Sequence, residues 1–259
     1  PAPPRPDRIR LDRPSSGLQR LAARFSGHAY DPHRHETYGI GLTLYGVQQF
    51  NYRGSLRASR AGDVLVLHPD EAHDGHAGEG GAFAYRMLYL DPAAISQALD
   101  GVSPPFVTDV VARDAAMAGL IDEAFADFPH PLEPLAIDAT VARMADLLER
   151  RSDGPRRRPT GATAARAIHR VHEFLAAEAH RTVASEELER LSGLDRFTLA
   201  RHFRQTFGTS PHRFQVGRRL QRAQSMIAEG AALSETAAAT GFADQSHLTR
   251  HFSARFGLT

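Results

Sequence analysis

Two stretches near the end of this 259-residue sequence carry the same chemistry at an offset of 49 residues. Leu199-Ala-Arg201-His202-Phe203 realigns on Leu248-Thr-Arg250-His251-Phe252, followed by Phe207-Gly208 and Phe256-Gly257. Asp195 falls on Asp244, and Ser185-Glu186 on Ser234-Glu235. Leu, Phe and Phe at i, i+4 and i+8 make one buried stripe of a helix. The opposite face then presents Arg196, Phe197, Ala200 and Arg201 in the first copy, and Gln245, Ser246, His247, Thr249 and Arg250 in the second. Arginine forks suit phosphate and guanine, and a short helix carrying such side chains near its N-terminus fits the major groove of double-stranded DNA.

The surrounding residues supply what such helices need. Asp195 and Asp244 are placed to cap them, and Gly193 and Gly241 stand where a preceding short helix must turn sharply. Each copy therefore reads as a helix-turn-helix. Between the copies, Ser210 caps and Pro211 opens a helix to about residue 229, long enough (roughly 28 Å) to hold two reading helices one turn of B-DNA apart. The expected helices run roughly over 163–180, 185–192, 195–207, 211–229, 234–240 and 244–256. A six-helix bundle with no ligand would explain the stripes, but not the repeated exposed Arg-His, the two glycine turns and the positive charge together.

Upstream, short β-type runs between Tyr38 and Tyr89 are broken by glycines and predict an antiparallel sandwich or small barrel. Helical periods follow Asp91-Pro92: one face gathers Met117, Leu120, Ile121, Ala124, Phe125 and Phe128, another Ile137, Val141, Met144 and Leu148. These faces suit either packing on the sheet or a dimer seam. The first 26 residues, rich in Pro and Arg, are expected to be mobile in part, and 152–162 reads as a linker. The fold class is α+β: a β-barrel or jelly-roll domain with a helical extension, then an all-α domain of two helix-turn-helix units. The predicted boundaries are 1–105, 106–151, 152–162 and 163–259.

Composition narrows the function classes. All 31 basic residues are arginine, which removes a phosphate-loop or Schiff-base lysine; cysteine is absent, which removes disulfides, thiolate metal sites and a cysteine nucleophile. Residues 1–150 hold 14 Arg against 20 acidic residues, and 151–259 hold 17 against 10, so only the second part is expected to meet a polyanion. No apolar run is long enough to span a bilayer, the opening residues lack a signal-peptide core, and a cytoplasmic location is expected.

The segment from about Ala164 onward, with LSGLDRFTLARHFRQTFGTSPHRF and then TGFADQSHLTRHFSARFG, resembles the DNA-binding domain of the arabinose-operon regulator (AraC/XylS) family. The resemblance implies base contacts from Phe197, Ala200 and Arg201, then Gln245, Ser246, His247, Thr249 and Arg250. Glu189 stands where the family usually carries a small residue, and Ala200 is too short to hydrogen-bond a base, which leaves Arg201 and Arg204 to the first unit. The chain also stops at Thr259, before the copy of Ser210-Pro211-His-Arg-Phe214 that the repeat predicts.

In the N-terminal part, Gly27-x5-His33-x-His35 resembles the first cupin motif, and Gly62-Asp-Val-Leu-Val-Leu-His68-Pro69-Asp-Glu-Ala-His73 the second, as in the small-molecule sensors of the same family. The cupin glutamate is missing: Gly39 and Ile40 occupy its place and Glu36 is out of phase. His33, His35 and His73 are therefore expected either to hold zinc or iron or to line an organic-ligand pocket without metal. Strand alternation adds Tyr38, Tyr45, Tyr85 and Arg86 to that pocket. The resemblance implies an effector-responsive transcription regulator acting as a homodimer on operator DNA, with RNA polymerase as a further partner and no catalysis of its own. The alternative is a metal-dependent cupin enzyme with a regulatory helical attachment.

Overall fold

The computed structural model describes residues 7–12, 17–128, 130–153 and 162–256. The first part is a β-sandwich with, among the described residues, nine antiparallel strands, β1 (Arg8–Leu11), β2 (Leu18–Ser26), β3 (His28–His33), β4 (Tyr38–Tyr52), β5 (Ser55–Arg60), β6 (Val64–Leu67), β7 (His73–Ala77), β8 (Ala82–Leu90) and β9 (Val111–Ala112). One sheet runs β1-β2-β8-β4-β6-β9, while β3, β7 and β5 form the second with the far half of β4. The two runs expected over 38–54 are thus one strand shared between sheets. It bends at Gly46, whose φ of +70° suits glycine and where a Cβ would lie 2.0 Å from the Ala82 carbonyl oxygen.

Within the first 26 residues, the described β1 and β2 complete the first sheet. Leu21, Ala23 and Phe25 alternate inward along β2, a pattern hidden in the sequence by the neighbouring arginines at 20 and 24. One of those, Arg20, is fully buried and satisfied, bonding the Asp12 carboxylate at 2.6 Å and the carbonyls of Ala124 and His130 at 2.7 and 2.5 Å.

Three helices cover the outer face of the first sheet: α1 (Pro92–Ala98), α2 (Ala115–Ala124) and α3 (Pro134–Arg151). Met117, Leu120, Ile121, Ile137, Val141, Met144 and Leu148 all lie in one core with Tyr38, Ile40 and Leu88 of that sheet. These apolar faces pack on the sheet, as one of the two expected uses requires. Residues 154–161 of the expected linker lie outside the described residues, as do 257–259 beyond the second reading helix.

The second part is α4 (Ala162–Ala177), α5 (Ser185–Ser192), α6 (Arg196–Phe207), α7 (Pro211–Ala228), α8 (Leu233–Ala239) and α9 (Gln245–Phe256), close to the expected bounds. The stripes fill two small cores, Leu199, Phe203 and Phe207 in one and Leu248 with Phe242 in the other. This helical part docks on the sandwich. Arg255 at the end of α9 lies 3.0 Å from the Glu36 carboxylate, Asp70 pairs with Arg213 and lies 3.9 Å from Arg204, and the Arg34 amide donates to the Ala254 carbonyl at 3.4 Å.

Candidate DNA interface and effector cavity

Each reading helix is preceded by a glycine in the left-handed region, Gly193 at φ +70° and Gly241 at +80°, and capped by an aspartate. Asp195 accepts from the amides of Phe197 and Thr198, and Asp244 accepts from the His247 amide at 2.7 Å. On α9 the expected readers Gln245, Ser246, Thr249 and Arg250 are exposed and His247 half-buried. The Ala243 amide donates to His247 Nδ1 at 3.2 Å, which places the neutral ring's proton on Nε2 as a donor. Arg250 makes no hydrogen bond or ion pair among the described residues, so its fork is free for DNA.

On α6 the arrangement differs. Phe197 is 80% exposed and Arg201 is exposed, as a base-reading face requires, and Ala200 lies between them half-buried. Arg196, by contrast, is turned back: its guanidinium lies 3.1 Å from both Glu189 and Glu186, and Glu189 also accepts from the Arg196 amide at 2.8 Å. Glu189, noted in the sequence only as a departure, is thus a second cap on α6. Arg204 lies on the same face of α6, two turns beyond Phe197, and comes within 3.9 Å of Asp70 of the sandwich. Both arginines thus have carboxylates beside them in this docked arrangement, while their side chains stay partly exposed.

A cavity of about 630 Å³ opens between the two sheets and the helical part. His33, His35 and His73 come together on its wall, with ring centroids 4.3 Å apart for His33–His73, 4.9 Å for His35–His73 and 6.3 Å for His33–His35. Tyr85 lines it as expected, its hydroxyl paired with that of Tyr30 at 2.8 Å. Burial pushes the Tyr30 hydroxyl up to about 12, so it stays protonated. Burial likewise drives His73 down to about 3 and lowers His33, where Arg255 adds to the effect.

Three expected pocket residues are corrected. Tyr38 is buried on the opposite face of its sheet and donates to the Pro105 carbonyl at 2.6 Å; Arg86 pairs with Asp122 at 2.5 Å, over Phe125 of the helical layer; Tyr45 is 55% exposed. What sequence reasoning missed is the remainder of the wall. Met87, Tyr89 and Gln48 come from the sandwich, while Arg218 and Arg222 of α7 and Arg255 of α9 come from the helical part.

The fit of a metal can be judged from the donors. No group of three or more His, Asp or Glu among the described residues is arranged to hold an ion. At Gly39, where a cupin glutamate would stand, a Cβ would lie 3.1 Å from the His35 ring and 3.4 Å from Met87 Sδ. The imidazole fills the space that a fourth ligand's side chain needs. The expected zinc or iron at His33, His35 and His73 does not fit this arrangement.

The family described as AraC-like ligand binding domain matches residues 16–149, and that described as helix-turn-helix domain matches 188–259. The "Uncharacterized HTH-type transcriptional regulator YbfI" of Bacillus subtilis (strain 168) is 24% identical over 234 residues, covering 88% of this chain and 85% of that one. Two crystal structures of ToxT from Vibrio cholerae share the fold. One gives a TM-score of 0.65 at 10% identity over 94% of this chain and 96% of that one. The other, an unsaturated fatty acid complex, gives 0.66 at 9% over 95% and 94%. With a matching sensor over half its length and a matching pair of reading helices beyond, the chain belongs to the AraC family of DNA-binding transcription regulators that carry an N-terminal ligand-binding domain.

Proposed function

We propose that this regulator answers to a small organic anion with an apolar body, bound in the cavity between sensor and DNA-binding helices. The observation that carries the reading is the composition of one wall by two domains. Leu21, Met87 and Tyr89 offer an apolar bed from the sandwich, while Arg218 and Arg222, four residues apart on α7, and Arg255 on α9 bring positive charge from the helices. A ligand there touches the helix that joins both reading units, so occupancy changes how they are held. ToxT, which shares the fold, has been crystallised with an unsaturated fatty acid and with a naphthyl-butenoic acid, both apolar-bodied carboxylates.

In this reading the second unit carries most of the sequence discrimination, through Gln245, Ser246, His247, Thr249 and Arg250, and the first contributes Phe197, Ala200 and Arg201. The protein works as a cytoplasmic homodimer and has no catalytic step; Gly39 and the His35 ring stand where a cupin enzyme would place its carboxylate. The test is fluorescence anisotropy on a site selected by the full chain from a random pool. Arg250→Ala is expected to cost about 1–3 kcal/mol on that site and far less on random DNA. Equal losses on both would make Arg250 a phosphate contact and remove it from the reading set.

A further inference from the structure

The histidine end of the cavity does chemistry that an apolar-bodied anion leaves unused. Each of the three rings is tied at Nδ1 to a backbone carbonyl, His33 to Asp31 at 2.8 Å, His35 to Thr37 at 2.7 Å and His73 to Glu71 at 3.1 Å. A carbonyl only accepts, so Nδ1 carries the proton of each neutral ring, and Nε2 is left as a bare lone pair. Nε2 of His35 is buried with no partner, and among the described residues no hydrogen bond reaches Nε2 of His33 or His73. The Asp74 carboxylate borders the same end, fixed by the amide and side chain of Asn51 at 2.6 and 2.7 Å. Acceptors therefore crowd the sandwich wall of a cavity whose α7 wall carries Arg218 and Arg222. A carboxylate is repelled from the first and drawn to the second, which fixes the direction in which a ligand lies.

We propose that the His33–His73 wall binds a hydroxyl or ammonium group, so that the effector is two-headed: a hydrogen-bond donor at the sandwich end, an apolar body, and an anion at the α7 arginines. This rests on the anion reading above and sharpens it. A plain alkanoate would bury its methyl end against unpaired acceptors, and sites built around such groups discriminate against ligands that leave them unmet.

The experiment is calorimetric titration of the full chain with three matched probes: decanoate, ω-hydroxydecanoate and ω-aminodecanoate. The wild-type protein is expected to bind at least one donor-bearing probe about tenfold or more tighter than decanoate. A preference for the amine over the alcohol would assign the head group as ammonium, drawn by Asp74. His73→Phe keeps an aromatic ring and removes the lone pair, and should bring the three affinities together. The apolar ring welcomes the methyl end and offers nothing to the donor. If circular dichroism shows that this variant is unfolded, His33→Phe takes its place. Decanoate binding as tightly as both other probes would overturn the donor end and leave the anion reading standing, as would a preference untouched by the substitution. Failure of all three probes to bind would overturn both.

Discussion

Arg196 opens the first reading helix, yet its guanidinium is spent on Glu189 and Glu186. Both carboxylates lie on α5, beside the face that would meet phosphate, so they add negative potential where DNA approaches. Glu186→Ala and Glu189→Ala together should free Arg196, tighten binding to the selected site about threefold, and steepen the salt dependence of binding by about one counterion. An unchanged slope would mean that the freed arginine faces solvent. The buried histidines make a second residue-scale expectation. His73 and His68 are pushed down by burial to about 3 and about 4, below the usual 6.5. The unfolded chain takes up their protons first, so the stability they carry is full above about pH 6.5 and drains as pH falls toward those lowered values, at about 1.4 kcal/mol per pH unit for each ring. Urea denaturation between about pH 7 and pH 5 reads this loss, and His68→Gln should flatten it by one ring's share. Which side chains share the cavity was only half readable in advance, for a reason of parity. Strand alternation links Tyr85, Met87 and Tyr89, but antiparallel pairing sets Tyr38 opposite Leu90 and Ile40 opposite Leu88. Tyr38 and Arg86 thus share the even-numbered face, under the helices, and only the register reveals it.

At the scale of elements, the helices were readable because their signals are local: an aspartate cap, a left-handed glycine and a 3.6-residue stripe recur in both copies. Much of the sandwich was not. β1 to β3 carry arginines and histidines that mask the alternation, and Arg20 is inside because distant carbonyls on the α2–α3 connection satisfy it. β4 joins both sheets through a bend that resembles a loop in sequence. The reading helices have a testable consequence of their own. α7, with 18 residues (roughly 27 Å), sets their separation near one turn of B-DNA. Hydroxyl-radical footprinting should therefore show two protected patches about 10 base pairs apart on one face of the duplex. Inserting one helical turn of alanines into α7 should weaken or erase one patch while the other survives. A single continuous footprint that ignores the insertion would mean that the two helices do not dock together.

For the whole molecule, the charge split between the halves does more than mark the side that meets DNA. Glu36 and Asp70 of the acidic sensor face Arg255, Arg213 and Arg204 of the basic domain, so part of the complementarity is internal. Burial and neighbouring Asp70 push the Glu36 carboxyl up, and it is held in place by Arg255 on one side and by α7 on the other. The helix makes room for it at Gly217, where a Cβ would lie 2.6 Å from Glu36 Oε2. A helix-interior glycine is less favourable than alanine by about 1 kcal/mol, so Gly217→Ala should strengthen α7 itself. The added methyl must also displace the carboxylate and with it the Arg255 pair, loosening the domains. The two effects separate in hydrogen exchange: amides of residues 31–36 and of the end of α9, including the Arg34 amide that donates to Ala254, should exchange faster, while those of α7 slow or hold. Glu36→Ala, which removes the carboxyl facing Arg255 altogether, should loosen the same segments without any change in α7. If Gly217→Ala leaves residues 31–36 protected, the carboxylate finds another seat and this contact does not hold the sensor to the reading helices.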